Sequence, residues 1–238
     1  MDQINLDRFY ERLNYYPLSL IGIALIGLLG YSLLSAAQRK NEAVRLSLGI
    51  VVLVASYEFF AGFLASQKIV NNWVYNLFNS HVSAILFFLL LRSFLKRKNH
   101  KKWVSLLIVF FLLISLILHS SGFVHYNDSG EYILFLNSVL MLGCCGLYFF
   151  ELMTLDEFLE IDPLKEFSFW ATTATLFYFS SSFMIYISYE YLYTHHLDIC
   201  NMVIEIPRNM SILSNFLLCF GIYSVLISDR FQIEIIHV

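Results

Sequence analysis

The sequence predicts an all-α polytopic membrane protein, in which residues 1–238 form one seven-transmembrane-helix bundle. The composition, the long apolar stretches and the placement of basic residues predict this fold. Of the 238 residues, 58% are hydrophobic and 14% are charged. A soluble domain has roughly 45–50% apolar and about 25% charged residues. Both differences indicate that lipid, rather than water, surrounds most of the chain.

Seven apolar stretches have the length that a membrane crossing requires. A spanning helix needs about 20 predominantly apolar residues. Transmembrane β-strands would be about half as long and would alternate apolar with polar residues, which these stretches do not. Pro17 and Pro207 fall at the starts of the first and seventh stretches, where the first helical turn tolerates proline. We predict spans near residues 17–37, 46–66, 73–94, 103–123, 131–151, 167–190 and 208–228.

The basic residues indicate how these spans are oriented. If successive spans alternate in direction, eleven of the 15 Lys and Arg residues fall on one side and four on the other. Short cytoplasmic loops carry an excess of Lys and Arg. We therefore expect a bacterial inner-membrane protein with its N-terminus outside and its C-terminus in the cytoplasm. The dense basic run at residues 96–102 is then a topology signal, and we expect no nucleic-acid partner.

Glu58 and His81 are the ionisable residues that lie deepest in the predicted spans. A charged group inside a membrane costs several kcal/mol, so it usually faces protein or water and has a partner. Each lies eight residues from the outer end of its span, which corresponds to a depth of about 12 Å. Because a short loop joins these spans, we predict that Glu58 and His81 contact each other. Such a pair is either a functional site or a buried structural contact.

Further polar residues share the outer half of the predicted bundle. They are Asn79, Asn137, Ser181 (with a serine on each side) and Asn215. Together with Glu58 and His81, they are the candidate ligand-binding residues of an outward-opening cavity for a small ligand or a proton. Alternatively, isolated Asn and Ser residues hold membrane helices together through hydrogen bonds.

No pattern in the sequence indicates an enzyme, a cofactor or a metal site. The predicted loop between the sixth and seventh spans contains His195, His196, Asp198, Cys200 and Glu205, but their spacing fits no recognised metal site. No phosphate-binding glycine loop, zinc-protease helix or nucleophile elbow is present. We therefore expect no enzymatic activity, no cofactor and no metal.

The cytoplasmic segment 151–166 is predicted to be an acidic amphipathic helix. It includes Asp156, Glu157 and Glu160, and its leucines recur at helical spacing. Anionic lipid head groups would repel these acids, so we expect them to bind a cytosolic signalling protein, with Lys98 on the same surface. The alternative is a solvated connector.

Two aromatic-rich parts of the chain carry a resemblance to a known family. The first combines Tyr57–Phe60 with Asn72–Phe78, and the second combines Phe169–Trp170 with Leu176–Ser181. They resemble small seven-helix membrane proteins of Bacteroidota that are related to the membrane-sensor portions of histidine kinases. The resemblance implies sensing or signalling. Because only Asp229–Val238 follows the seventh span, we expect any kinase to be a separate protein.

The sequence therefore favours a receptor-like or sensor-like membrane module that signals to a separate cytosolic partner. A small transporter or channel is the second reading, although the almost wholly apolar fourth span argues against a wide hydrophilic pore. The third reading is a structural or effector membrane protein without a ligand.

Overall fold

The computed structural model describes residues 6–13, 15–125, 131–155 and 163–235. Within these ranges the regular structure is entirely helical, without a strand. This confirms the all-α prediction. The helices are α1 (Leu6–Arg12), α2 (Tyr15–Leu33), α3 (Glu42–Ser66), α4 (Asn72–Phe94), α5 (Lys98–Ser120), α6 (Glu131–Thr154), α7 (Phe167–His195) and α8 (Leu197–Ile235).

Five of these helices, α2 to α6, are long and apolar enough to cross a membrane. They coincide with the first five predicted spans to within a few residues at each end. Their outward faces carry large apolar side chains. Examples are Leu29, Leu113 and Leu116, which are 63%, 55% and 64% exposed. Such faces are stable in lipid rather than in water, which indicates a membrane protein. The passage of α7 and α8 through the membrane stays a prediction.

The predicted loop between the sixth and seventh spans is wrong. α7 continues to His195 and α8 begins at Leu197, so a single residue, His196, separates the two helices. Pro207 consequently lies inside α8 and not in its first turn. The polar residues of this region suggested a loop because hydropathy indicates only which residues are suited to lipid. It does not indicate where a helix ends. A polar segment can still continue a helix beyond the apolar stretch.

Successive long helices run antiparallel, so the bundle has two ends. Hydrogen bonds between neighbouring helices fix which residues share an end. Tyr16 bonds Ser211 at one end, and the backbone of Lys96 bonds Glu151 at the other. We call these the Glu58 end, where α2 and α8 begin, and the Glu151 end, where α3 and α5 begin.

Large side chains are buried throughout the interior of the bundle. Its largest buried side chains include Phe88, Leu91, Met141 and Tyr148, each at most 1% exposed. In contrast, α5 buries only Val104, Phe111 and Ser115 among its own residues. α5 is therefore a peripheral helix, and α2, α3, α4, α7 and α8 line the space described next.

Candidate functional site

A cavity of about 390 Å³ lies toward the Glu58 end of the bundle. This volume lies in the range of about 300–1,000 Å³ that small-molecule sites occupy. α2, α3, α4, α7 and α8 all contribute to its wall, which contains one acid, Glu58, and one base, Arg208. The tyrosines that line it are Tyr16, Tyr57, Tyr75, Tyr178, Tyr186 and Tyr189. We call this space the tyrosine cavity.

Glu58 accepts hydrogen bonds from two of these tyrosines. The Tyr75 hydroxyl donates to Oε2 at 3.0 Å, and the Tyr16 hydroxyl lies 3.4 Å from Oε1. No basic side chain in the described part of the chain forms an ion pair with this carboxylate. The phenols therefore supply hydrogen bonds to the side chain of Glu58 within the cavity wall.

The predicted contact between Glu58 and His81 is wrong. Nδ1 of His81 lies 2.5 Å from the carbonyl oxygen of Asn76, and Nε2 lies 2.5 Å from Oγ of Ser115 in α5. His81 thus faces the peripheral helix rather than the tyrosine cavity. Residue counting gives the depth of a side chain in a helix, but not the direction in which it points around the helix axis.

A π-helical segment at Tyr75–Ser83 sets these two directions within α4. Its wider turns place Tyr75 and Asn79 in the cavity wall, while His81 contacts α5. Asn79 is fixed there because its Oδ1 accepts a hydrogen bond of 3.1 Å from the Tyr57 hydroxyl. π-helical turns often occur at functional sites. The spacing of apolar residues in this stretch did not predict the π-helical turns.

The structure places the predicted serine one residue away from the cavity wall. Oγ of Ser181 donates to the Tyr178 carbonyl oxygen at 2.8 Å, within its own helix. Its neighbour Ser182 lines the tyrosine cavity instead. The predicted serine therefore lies beside a residue of the cavity wall rather than in the wall itself. Sequence reasoning also missed the tyrosines, which resembled interface or core residues when taken one at a time.

The remaining predicted residues, Asn137 and Asn215, line a smaller chamber of about 20 Å³. This chamber shares wall residues, including Tyr57 and Asn79, with the tyrosine cavity. Both deep asparagines are only 2% exposed, and neither Oδ1 atom has a hydrogen-bond partner among the described residues. A polar chamber of this volume holds about one water molecule. The polar lining therefore continues from the cavity into the bundle.

The mouth of the tyrosine cavity carries a short hydrogen-bonded chain. Tyr15 and Arg208 both donate to the carboxylate of Glu205. These bonds, that of Tyr15 first, hold the pKa of the Glu205 carboxyl below its usual value. Arg208 thus has a carboxylate partner at the rim, and it also acts electrostatically on Glu58 without forming an ion pair with it.

Elsewhere in the molecule, a buried carboxylate at the opposite end escaped prediction as a functional residue. Glu151 is fully buried and accepts hydrogen bonds from the backbone N–H groups of Lys96 and Arg97, at 2.6 and 3.0 Å. Nδ1 of His100 lies 2.7 Å from the same side chain. Glu151 therefore joins the end of α6 to the start of α5.

The predicted partner-binding surface is only partly within the described residues. Lys98 is exposed at the start of α5. Asp156, Glu157 and Glu160 lie outside the ranges that the structure describes. Their predicted amphipathic helix and their contact with a cytosolic protein stay predictions.

Across the described ranges, no three His, Cys, Asp or Glu side chains come together as possible metal ligands. Comparison of the chain with protein-family models, with curated proteins and with solved structures finds no match. The resemblance to membrane-sensor proteins of Bacteroidota therefore stays a prediction.

Proposed function

We propose that this chain is a sensor-like integral membrane module of seven spans. A small ligand would enter the tyrosine cavity from outside the cytoplasm, and the Glu151 end would pass the change to a separate cytosolic protein. The observation that carries the proposal is the cavity itself, which places a carboxylate without an ion pair in a ligand-sized space at one end of the bundle.

The distribution of basic residues supports the orientation. Exposed or half-buried basic residues are more numerous near the Glu151 end, whereas Lys68 and Arg208 lie near the Glu58 end; those near the Glu151 end include Arg39, Lys40, Arg45, Arg97 and Lys98. By the positive-inside rule, this excess supports a cytoplasmic position for the Glu151 end. The tyrosine cavity faces the opposite compartment.

The packing supports sensing over transport. Below the cavity, Phe87, Phe88, Leu91 and Tyr148 are almost completely buried, so the half of the bundle near the Glu151 end is closed. A sensor requires only one open side and two packings of the bundle that a ligand can bias. The π-helical segment is a suitable switching element, because Tyr75 touches Glu58 while His81 touches α5.

The polar chamber beside the cavity favours a second candidate, a small transporter or channel. Asn137 and Asn215 present buried oxygen atoms without partners among the described residues, as the lining of a cation or proton path would. This candidate requires the closed half to open during a transport cycle.

Two measurements on the protein reconstituted in liposomes test these functions. Proton- and cation-sensitive dyes inside the vesicles should report no flux. Clear flux that disappears in Glu58→Gln would instead establish the transporter.

The second measurement uses spin labels at Glu42→Cys and Lys98→Cys, near the Glu151 end. The four native cysteines are all buried, so the introduced ones should react selectively. Ser182→Trp fills the cavity, and we expect it to shift the inter-label distance by about 1–2 Å or more. Ser188→Trp, on the same helix but outside the cavity wall, should leave the distance unchanged. If Ser182→Trp leaves the inter-label distance as unchanged as Ser188→Trp does, signalling through the bundle is contradicted.

A further inference from the structure

We infer that the ligand of the tyrosine cavity is an organic ammonium ion. This inference rests on the proposed function, because it names the chemical class that the cavity would detect. It depends on the charge of the wall, on the surface that the tyrosines present and on the size of the space.

The charge of the wall favours a cation. Glu58 is its acid, and its direct partners in the described structure are the neutral phenols of Tyr16 and Tyr75. Arg208 in the same wall forms an ion pair with Glu205 at the rim and also acts electrostatically on Glu58, so the two acids exceed this base by one charge. A cationic ligand would provide the charge partner that a membrane-embedded carboxylate ordinarily has.

Three of the six cavity tyrosines have their hydroxyl groups engaged within the wall. The hydroxyls of Tyr16 and Tyr75 bind Glu58, and that of Tyr57 binds Asn79. With these hydroxyls engaged in the wall, the rings are what the side chains offer to a ligand. Aromatic faces attract ammonium groups through their quadrupoles and form the cages that recognise quaternary ammonium ions.

The size of the space favours an organic cation over an inorganic one. In a cavity of about 390 Å³, a bare metal ion would touch one side of the wall and leave most of the space to water. An alkylated ammonium group instead fills the space with apolar substituents that pack against the rings. Ile185 and Ile204 in the same wall provide matching apolar contacts.

Binding of choline to the purified full-length chain tests the inference. Its neutral isostere 3,3-dimethylbutan-1-ol has the same shape without the charge, and betaine adds a carboxylate. Affinity is measured by isothermal titration calorimetry and by the shift in thermal unfolding. We expect the isostere to bind about tenfold or more weakly than choline, because it lacks the charge that the carboxylate and the aromatic rings attract. We expect betaine to bind more weakly than choline, because Glu58 would repel its carboxylate.

Matched variants separate the contribution of the Glu58 charge to choline binding from that of the tyrosine rings. Glu58→Gln should weaken choline binding at least about tenfold, whereas Glu42→Gln, on the exposed start of the same helix, should not change it. Tyr186→Leu should weaken binding, and Tyr186→Phe, which keeps the ring, should retain it. The Tyr186 pair keeps the test decisive if Glu58→Gln fails to fold.

Three results would overturn the inference: no binding of choline, equal binding of the neutral isostere, or tighter binding of betaine than of choline. The spin-label measurement separates these results from the proposed function. If Ser182→Trp still shifts the distance at the Glu151 end while choline does not bind, the sensor proposal stands and only the ammonium class is wrong.

Discussion

At the scale of single residues, the side chain of Glu151 connects two helices at its end of the bundle. The first N–H groups of a helix have no partner within the helix and need an acceptor. At the start of α5, Glu151 accepts from Lys96 and Arg97 and also contacts His100. One buried side chain thus satisfies backbone donors from another helix and anchors the peripheral α5 to the core.

Glu151→Ala should lower the free energy of unfolding by about 3 kcal/mol, since it removes two charge-assisted hydrogen bonds from partly buried backbone donors. Glu151→Gln should cost less, because its amide retains one acceptor oxygen. Thermal unfolding in detergent measures both. Glu42→Ala, at the exposed start of α3, serves as the control and should cost less than about 1 kcal/mol. Equal losses for Glu151 and Glu42 would show that the contact does not stabilise the bundle.

Glu58 and His81 show what residue-level reasoning supplies in a membrane helix. Burial cost correctly indicated that both would have polar partners, and both do. Their equal depth suggested one shared contact, but each points to a different neighbour. The partners of these two side chains are the hydroxyl groups of tyrosines and of Ser115. Hydropathy does not distinguish these residues from the other residues of an apolar span.

At the scale of elements, the close approach of α8 to the start of α7 depends on a glycine. A Cβ atom at Gly221 would lie 1.8 Å from the ring of Phe167, and Phe167 in turn packs edge-on against Phe94 at 5.7 Å between ring centroids. Small residues allow membrane helices to approach closely. The ring of Phe167 occupies the space that any other side chain at position 221 would need.

We expect Gly221→Ala to destabilise the protein, although Ala usually stabilises a helix relative to Gly by about 1 kcal/mol. Gly143→Ala in α6 is the matched control, because nothing lies within 4 Å of its Cβ position; it should be neutral or stabilising. Thermal unfolding gives the comparison. Adding Phe167→Leu to Gly221→Ala should recover part of the loss. If Gly221→Ala behaves like Gly143→Ala, the close contact does not constrain the helices.

At the scale of the whole molecule, the orientation decides whether the tyrosine cavity faces away from the cytoplasm. Ser121 follows α5 at the Glu58 end, Asn99 lies at the other end, and both are exposed. In intact cells, a membrane-impermeant thiol reagent should label Ser121→Cys and not Asn99→Cys, because the positive-inside rule predicts that the basic end lies in the cytoplasm. Permeabilised cells, in which both should react, provide the control. Labelling in the reverse order would reverse the topology and place the cavity on the cytoplasmic side.

The sequence by itself determined that lipid surrounds most of the chain, that the secondary structure is helical, and where most of the helices lie. Lipid requires long apolar stretches whose backbone groups are satisfied internally, so composition and length were sufficient to predict an all-α membrane protein. The same argument located the ends of α3 and α4 within a few residues. It failed between α7 and α8, where a polar helix has no apolar signature.

Only the tertiary structure decided which polar groups share a site. Depth is a one-dimensional property that residue counting provides, whereas the direction of a side chain depends on helix rotation, on the π-helical turns of α4 and on the neighbours that each helix meets. These factors brought Tyr16, Tyr75 and Glu58 together and directed His81 to Ser115. Because such contacts join residues far apart in the chain, no local pattern in the sequence encodes them.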